Sequence, residues 1–382
     1  MTKTVILGGG MIGSAMAMDL AKDPGFEVTV ADARQESLDR IAARWGVPTL
    51  LADLSDPRAV HQLASGFDLV LGALPSVFGF ASLRAVIEAG RPFVDISFMA
   101  ENALELDGLA RERGVVAVVD CGVAPGTSNL LAGYAASQLD RCDNIEIYVG
   151  GLPAERRWPF EYKAGFAPSD VIEEYTRPAR LVEHGQVVVR EALSEPELLD
   201  FPEIGSLEAF NTDGLRSLIF TLKAPFMKEK TLRYPGHIAL MRAFRETGLF
   251  SKDLIEVNGQ PVRPLEVTAA LLFPKWTFAE GEADITVLRV RVEGRRGEER
   301  LRYAWDLLDR YHAESGLRSM SRTTAFPAVI VARLLAQGRF RRPGVHPPEI
   351  LGAEPGLADA VLGELLARGV AVRASTQRLP PS

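Results

Sequence analysis

The sequence predicts an α/β fold, a doubly wound parallel sheet into which an α+β domain is inserted. Three observations point there. Short β-branched runs alternate with helical stretches over the first third of the chain, a glycine-rich turn joins the first run to the first helix, and after residue 121 this rhythm gives way to hairpin signals.

Runs at 4–7, 27–31, 48–52, 69–74, 92–96 and 115–119 read as six strands, and the segments 11–22, 36–45, 79–89 and 101–113 are long enough to cross over a sheet between them. Beyond them, hairpin turns are expected at His184-Gly185, at Asn258-Gly259 and between Gly294 and Gly297, where 284–292 pairs with 299–305 across the Arg-Arg turn. A helical pattern returns over 321–337, followed by the Pro-rich loop GVHPPEILG and a last helix near 357–368.

Composition narrows the function class. The 382 residues are 47% hydrophobic and 24% charged, ordinary values for a globular chain with room for two cores. A net charge of -7 without any block of like charges leaves no electrostatic footprint for nucleic acid or an anionic membrane, so the expected partner is a small molecule. Cys121 and Cys142 stand apart, without CxxC or histidine spacing, and support neither a disulfide framework nor a metal site. MTKTVILGGG reaches glycine after too few apolar residues for a signal segment, and no run of about 18 apolar residues follows, so a cytoplasmic location is expected.

VILGGGMIGSAMAMDL places Gly8, Gly10 and Gly13 at GxGxxG spacing between a strand and a helix. Glycine permits the tight turn at the first position, lets backbone approach a pyrophosphate at the second, and lets helix and strand pack closely at the third. Alone this motif is weak. Asp32, however, ends the second strand about 20 residues on, where a carboxylate accepts both ribose hydroxyl protons. Together they predict a dinucleotide site from Gly8, Gly10, Met11, Ile12, Gly13 and Asp32. Asp32 repels a 2′-phosphate and favours NAD, while Arg34 can pair with such a phosphate and keeps NADP possible. Asp53, after the third strand, either meets the adenine or caps the next helix.

Ligands of doubly wound sheets gather beyond the carboxyl ends of the strands. That rule singles out Leu74 and Pro75 after strand four, Asp95 and Ser97 at the end of strand five, and Asp120 with Cys121 after strand six. A strand-end Asp often closes a turn, but Asp95, within the apolar PFVDISFM, is hard to explain that way. In the second domain, NTDGLRSL brings Asp213, Arg216 and Ser217 around a glycine, so that an acid, a guanidinium and a hydroxyl can grip a zwitterion. The alternative is a helix start with Asp213 capping and Arg216 in solvent. His237, after Pro-Gly, reads either as a base or as a helix-start residue. Cys121 has no histidine near it in sequence, and GxSxG, HExxH and P-loop patterns are absent. Gly122, Pro125 and Gly126 turn the chain at the domain junction, with Ser128 or Asn129 capping the helix that opens the second domain.

Taken in order, GALPSVFGF, VDISFMAENALEL, DCGVAPGTSNLLAG, YVGGLP, EEYTRPARL, FNTDGLRS, LRYPGH, MSRTTAF and GVHPPEILG resemble the L-lysine 6-dehydrogenase branch of the saccharopine dehydrogenase-like family over almost the whole chain. The resemblance implies a homodimer that oxidises the ε-carbon of L-lysine with NAD. The products would be ammonia and 2-aminoadipate 6-semialdehyde, which cyclises to piperideine-6-carboxylate. It also implies a Rossmann domain over 1–121, an α+β substrate-binding and dimerisation domain over 122–320, and a segment 321–382 that returns to the first domain. By position, Gly8 to Gly13, Asp32, Asp53 and the turn Ala73, Leu74, Pro75 fall to the cofactor. Asp95, His237 and Asp120 become the expected catalytic residues, and Arg216, Asp213, Ser217 and Asn129 the expected substrate-binding ones. Cys121 departs from the family, whose members can carry an apolar residue there.

Such an oxidation needs the free amine, because hydride leaves carbon only when the attached nitrogen has a lone pair to push with. Deprotonating an ammonium of pKa about 10.4 at pH 7 costs about 4.6 kcal/mol, which a desolvated pocket and a base such as His237 or Asp95 would supply. Two other functions compete. A dehydrogenase forming or splitting a secondary amine, such as saccharopine or carboxynorspermidine, would want several cationic anchors, and one persuasive arginine is visible. A non-catalytic NAD-binding regulator would gain little from a carboxylate in the setting of Asp95.

Overall fold

The alternation in the first third of the chain becomes a ladder of parallel strands: β1 (Thr2–Leu7), β2 (Phe26–Asp32), β3 (Thr49–Leu51), β4 (Leu69–Gly72), β5 (Phe93–Asp95) and β6 (Val116–Val118). The connecting helices are α1 (Met11–Leu20), α2 (Gln35–Trp45), α3 (Pro57–Ser65), α4 (Ser76–Glu88) and α5 (Asp107–Glu112), with α6 (Thr127–Ser137) following β6. Helix α3 is the next helix that Asp53 was expected to meet as a cap. It starts where Asp56 accepts the Arg58 N–H at 2.9 Å and Pro57 takes the first helical position. The cap is therefore Asp56, and the capping alternative for Asp53 does not hold: its carboxylate instead closes a turn on the Ser55 N–H at 3.0 Å and the Ser55 hydroxyl at 2.6 Å.

A second, mixed sheet follows. It is built from β7 (Arg141–Pro153), β8 (Ala179–Glu183), β9 (Gln186–Arg190), β10 (Glu197–Phe201), β11 (Gly205–Asn211) and β12 (Phe226–Arg233), with α7 (Pro168–Thr176), α8 (Leu218–Thr221) and α9 (His237–Glu246) between and after them. The small hairpin β13 (Ile255–Val257) and β14 (Gln260–Val262) leads into α10 (Pro264–Trp276), and the long hairpin β15 (Asp284–Arg296) and β16 (Glu299–Arg310) completes the sheet but for one strand. All three expected hairpins form, at His184-Gly185, Asn258-Gly259 and 297–298. The last turn lies beyond the Arg-Arg pair rather than at it, because Arg295 and Arg296 still face Arg300 and Glu299 in the ladder.

The chain then runs through α11 (Ser319–Ala336), β17 (Gly344–His346), α12 (Pro348–Ala353), α13 (Leu357–Ala367) and β18 (Val372–Leu379). Two of these correct the sequence reading. GVHPPEILG is not a loop: its first three residues form the seventh strand of the first sheet, beside β6, and α12 follows at once. The order of that sheet is β17-β6-β5-β4-β1-β2-β3. β18, unforeseen, extends the second sheet beside β16.

The computed structural model describes residues 1–380, and the chain divides into two compact units, Met1–Gln138 with Ser321–Val372, and Leu139–Met320 with the chain from Arg373 onward. The first unit has one aliphatic core around Val5, Val70, Phe93 and Val119. The second holds an aromatic cluster around Tyr162, Tyr175, Phe210 and Trp276, and a separate cluster under the sheet around Tyr148, Leu207 and Leu232. Helix α6, expected to open the second domain, packs against α12 inside the first unit. Among the described residues no helix is long and apolar enough to cross a membrane, and no group of acids, cysteines and histidines has the makings of a metal site.

The returning segment is fastened by charge. Asp19 on α1 is buried, and its two oxygens receive Arg333 Nη1 at 2.7 Å and Arg368 Nε at 2.9 Å. Removing the carboxylate leaves two largely enclosed guanidinium groups without it, so Asp19→Ala is expected to lower the stability of the first unit by about 3 kcal/mol in urea unfolding, with little effect from Lys22→Ala on the exposed side of the same turn.

Candidate functional site

The glycine turn has the geometry its spacing promised. Gly8 sits at φ 102°, and a Cβ there would lie 2.5 Å from the Ala73 carbonyl oxygen; a Cβ on Gly13 would strike the Gly8 carbonyl oxygen. Beside Gly10, by contrast, the space is open, and α1 begins at Met11 without a side-chain cap. Backbone at a helix start, facing open space, suits a pyrophosphate. The Ala73 to Pro75 turn follows the end of β4 and abuts this loop. Asp32 is buried, with Oδ2 accepting the Gly9 N–H at 2.6 Å and Oδ1 the Arg34 N–H at 2.8 Å. A carboxylate offers about four lone-pair positions, so each oxygen keeps capacity for a ribose hydroxyl. The Arg34 side chain is 70% exposed, with Nε 3.5 Å from Asp32.

At the carboxyl end of the same sheet Asp95 closes β5, opposite Gly72 of β4. A side chain at Gly72 would occupy the place of the Asp95 carboxylate, so the glycine is what lets the acid fold inward. Asp95 is 1% exposed. Oδ1 accepts the Ser97 hydroxyl at 2.8 Å, while Oδ2 is buried and has no hydrogen-bond partner among the described residues. Burial, reinforced by the negative charge of Asp120 and opposed by the Ser97 donors, pushes its carboxyl up to about 7. Asp120 is buried at φ 53°, a left-handed conformation that an Asp adopts at a cost. The next N–H, of Cys121, donates to the Asp95 carbonyl at 2.9 Å and ties the two strand ends together. Burial raises the Cys121 thiol well above its ordinary range, so it is inert, as the absence of a histidine suggested. Asn129 is wholly buried in α6: Oδ1 accepts from the Ser128 hydroxyl at 2.9 Å and the Gly126 N–H at 3.4 Å, and Nδ2 reaches Glu349 Oε2 at 3.5 Å. Its amide is occupied in holding the helix start, which corrects its assignment to the substrate.

In the second unit His237, expected as a base, is built into the aromatic core. Nδ1 lies 2.8 Å from the Phe160 carbonyl and Nε2 2.8 Å from the Tyr175 hydroxyl. A carbonyl only accepts, so Nδ1 carries the proton and Nε2 accepts from Tyr175. Burial and the Arg233 charge hold its pKa down at about 3, and both nitrogens are satisfied. His237 is a structural link rather than a catalyst. Asp213, expected to hold an ammonium, forms a two-pronged pair with Arg180, Nε to Oδ1 and Nη2 to Oδ2 both at 2.8 Å. Its charge is already matched. Arg216 is buried at φ 53°, and the buried Ser217 hydroxyl has no hydrogen-bond partner among the described residues. These two remain the ligand candidates of that loop. Sequence reasoning missed two buried residues of β12, Glu229 and Arg233. The latter donates to Glu174 at 2.6 Å and lies 4.4 Å over the Tyr162 ring.

Comparison with known proteins bears on both units. Residues 4–118 match the family model described as the saccharopine dehydrogenase NADP binding domain, and residues 122–370 the saccharopine dehydrogenase C-terminal domain. The carboxyaminopropylagmatine dehydrogenase of Synechocystis sp. is 24% identical, with 96% of each chain covered. The mitochondrial alpha-aminoadipic semialdehyde synthase of Mus musculus is also 24% identical, but this chain spans only 30% of its length. Apo saccharopine dehydrogenase (L-Glu forming) from Saccharomyces cerevisiae shares the fold, with a TM-score of 0.79 over 99% of this chain and 100% of that one at 17% identity. The cofactor is thus a nicotinamide dinucleotide, with NADP favoured over the NAD that Asp32 alone suggested. The lysine 6-dehydrogenase branch is not singled out by these matches, but the two adjoining family models meet a glycine turn shaped for a dinucleotide and a buried acid at the sheet's carboxyl end: the chain belongs to the saccharopine dehydrogenase family of NAD(P)-dependent oxidoreductases acting on amines.

Proposed function

We propose that this protein dehydrogenates the ε-carbon of L-lysine, releasing ammonia and 2-aminoadipate 6-semialdehyde, and that Asp95 is the proton acceptor. The observation that carries the reading is the Asp95 carboxyl: buried at the end of a cofactor-binding sheet, with one oxygen that has no hydrogen-bond partner among the described residues and its pKa raised to about 7. When bound, the nicotinamide dinucleotide supplies the hydride acceptor. Everything else falls to the chain's own groups. A base matched to neutral pH takes the ammonium proton at Oδ2, which leaves the amine lone pair free to drive the oxidation; once that proton has passed to solvent, the carboxylate takes a proton from the water that adds to the imine carbon and gives it to the nitrogen as ammonia leaves. Arg216 holds the α-carboxylate, and Ser217 donates beside it.

Among the described residues of the second unit, the buried Arg216 is followed in the chain by Ser217, whose buried hydroxyl has no hydrogen-bond partner, so a cation and a hydroxyl donor adjoin on one loop. A second reading has an observation of its own: the end-to-end likeness to a carboxyaminopropylagmatine dehydrogenase favours a secondary amine, formed or split, as the substrate. A non-catalytic regulator is disfavoured by the orphaned Asp95 oxygen.

A panel of lysine, ornithine, saccharopine and carboxyalkyl polyamines, each with NAD and NADP, separates these readings. Reduced cofactor is expected with lysine, with ammonia released in equal amount; turnover only with saccharopine or a polyamine adduct selects the second reading, and none at all the regulator. Asp95 must be ionised to accept a proton, so kcat/KM for lysine is expected to rise through pH 7 and to go on climbing as the amine deprotonates. In Asp95→Asn the step near pH 7 should vanish and kcat fall by about 10²-fold or more. A wild-type profile flat between neutral and mildly alkaline pH contradicts the free-amine step. Arg216→Ala should raise KM for lysine at least about tenfold while leaving the cofactor KM within about twofold; an equal loss for both would place Arg216 elsewhere.

A further inference from the structure

On β12, alternate residues Glu229, Thr231 and Arg233 share one face, and the loop leaving β11 at Asn211 crosses it. Glu229 is buried, and its partners there are neutral donors from that loop. Oε2 accepts the Thr212 hydroxyl at 2.5 Å and the Gly214 N–H at 3.0 Å. Thr212 spends its only hydroxyl proton on Glu229, so at 2.9 Å it accepts one from Thr231. The main chain is tied too, with the Thr212 N–H donating to the Glu229 carbonyl at 3.4 Å. A side chain on Gly214 would run into the Glu229 carboxyl group, so loop and acid are packed to contact. Two residues on, Arg216 has the left-handed backbone that a non-glycine residue holds only when its surroundings impose it.

From this we infer that Glu229 is a positioning residue, which clamps the loop 212–217 through Thr212 and Gly214 and so fixes where Arg216 and Ser217 meet an amino-acid substrate. The inference rests on the assignment of Arg216 to the substrate carboxylate. It explains a burial that is otherwise costly: Glu174 and Asp213, the acids nearest it, each have an arginine partner, Arg233 and Arg180, whereas Glu229 takes hydroxyl and amide donors. Burial pushes its carboxyl up to about 8, so the group is mostly neutral at pH 7 and an amide of the same shape should serve.

The test uses the full chain and two readouts. Hydrogen exchange followed by mass spectrometry over 211–218 reads the clamp without any substrate, and steady-state kinetics on the amine that the wild type oxidises reads its consequence. Glu229→Gln keeps an acceptor for Thr212 and Gly214 and should match the wild type in both. Glu229→Ala and the milder Thr212→Val should speed exchange in this loop and raise KM for the amine about tenfold, with kcat and the cofactor KM within about threefold. Unchanged exchange in both variants, or a loss shared by kcat and the cofactor KM, overturns the inference and leaves Glu229 a packing residue. Faster exchange with an unchanged amine KM sinks the assignment of Arg216, and with it the functional role of the clamp. Should Glu229→Ala not fold, the comparison of Thr212→Val with Glu229→Gln decides by the same criteria.

Discussion

A carboxyl group shut away from water and offered hydroxyl and amide donors in place of a cation keeps its proton to near neutral pH, and each unit of this chain holds one. In the first unit it is Asp95, admitted to the interior by Gly72 and bonded through one oxygen to Ser97. In the second it is Glu229, with Thr212 and Gly214 gathered on a single oxygen. The same desolvation serves two ends. Asp95 has an oxygen without a hydrogen-bond partner among the described residues and sits at the carboxyl edge of a dinucleotide-binding sheet, which suits proton transfer; Glu229 is buried under a loop that it holds by two donors, which suits scaffolding.

The two strand-end acids of the first unit act on each other. Asp120 adds to the rise of the Asp95 carboxyl, and the Cys121 N–H bound to the Asp95 carbonyl fixes their separation. Cys121 is the bystander of that arrangement: its backbone is used, and its thiol is silenced by burial among negative charges. The left-handed backbone at Asp120 and at Arg216 marks a position in each unit where regular geometry yields to the placing of a side chain.

The first sheet was legible because its strands are apolar runs punctuated by Gly and Asp, and its glycine turn carries the constraint in its spacing. The start of helix α3 was misplaced because Asp53, three residues ahead of the Asp56 that accepts the Arg58 N–H, is itself a residue of the kind that caps helices. β17 was hidden by length, since three residues ahead of two prolines have no periodicity to read; only the hydrogen bond from the Gly344 N–H to the Val115 carbonyl, across more than 200 residues, makes them a strand. At the site, residues near glycine turns and strand ends were found, because local chemistry points to them. Their partners were not. Nothing around Asp213 announces Arg180, nothing around His237 announces Tyr175 and the Phe160 carbonyl, and Glu229 lies in a strand whose KEKTLR reads as a solvated ribbon. Those contacts exist only once the strands are in register, and they turned two of the expected site residues into structural ones.

The position of β17 bears on how the chain is made. As the chain is synthesised, the first sheet can form through β6 once about a third of the residues exist, but the edge beside β6 stays open until residues 344–346 arrive. Through that interval Val116, Ala117 and Val118 present unpaired backbone on an apolar strand, the sort of edge that recruits a neighbouring chain. The second unit is therefore a delay written into the sequence, and the nascent protein is most exposed to association while its first sheet lacks only that strand.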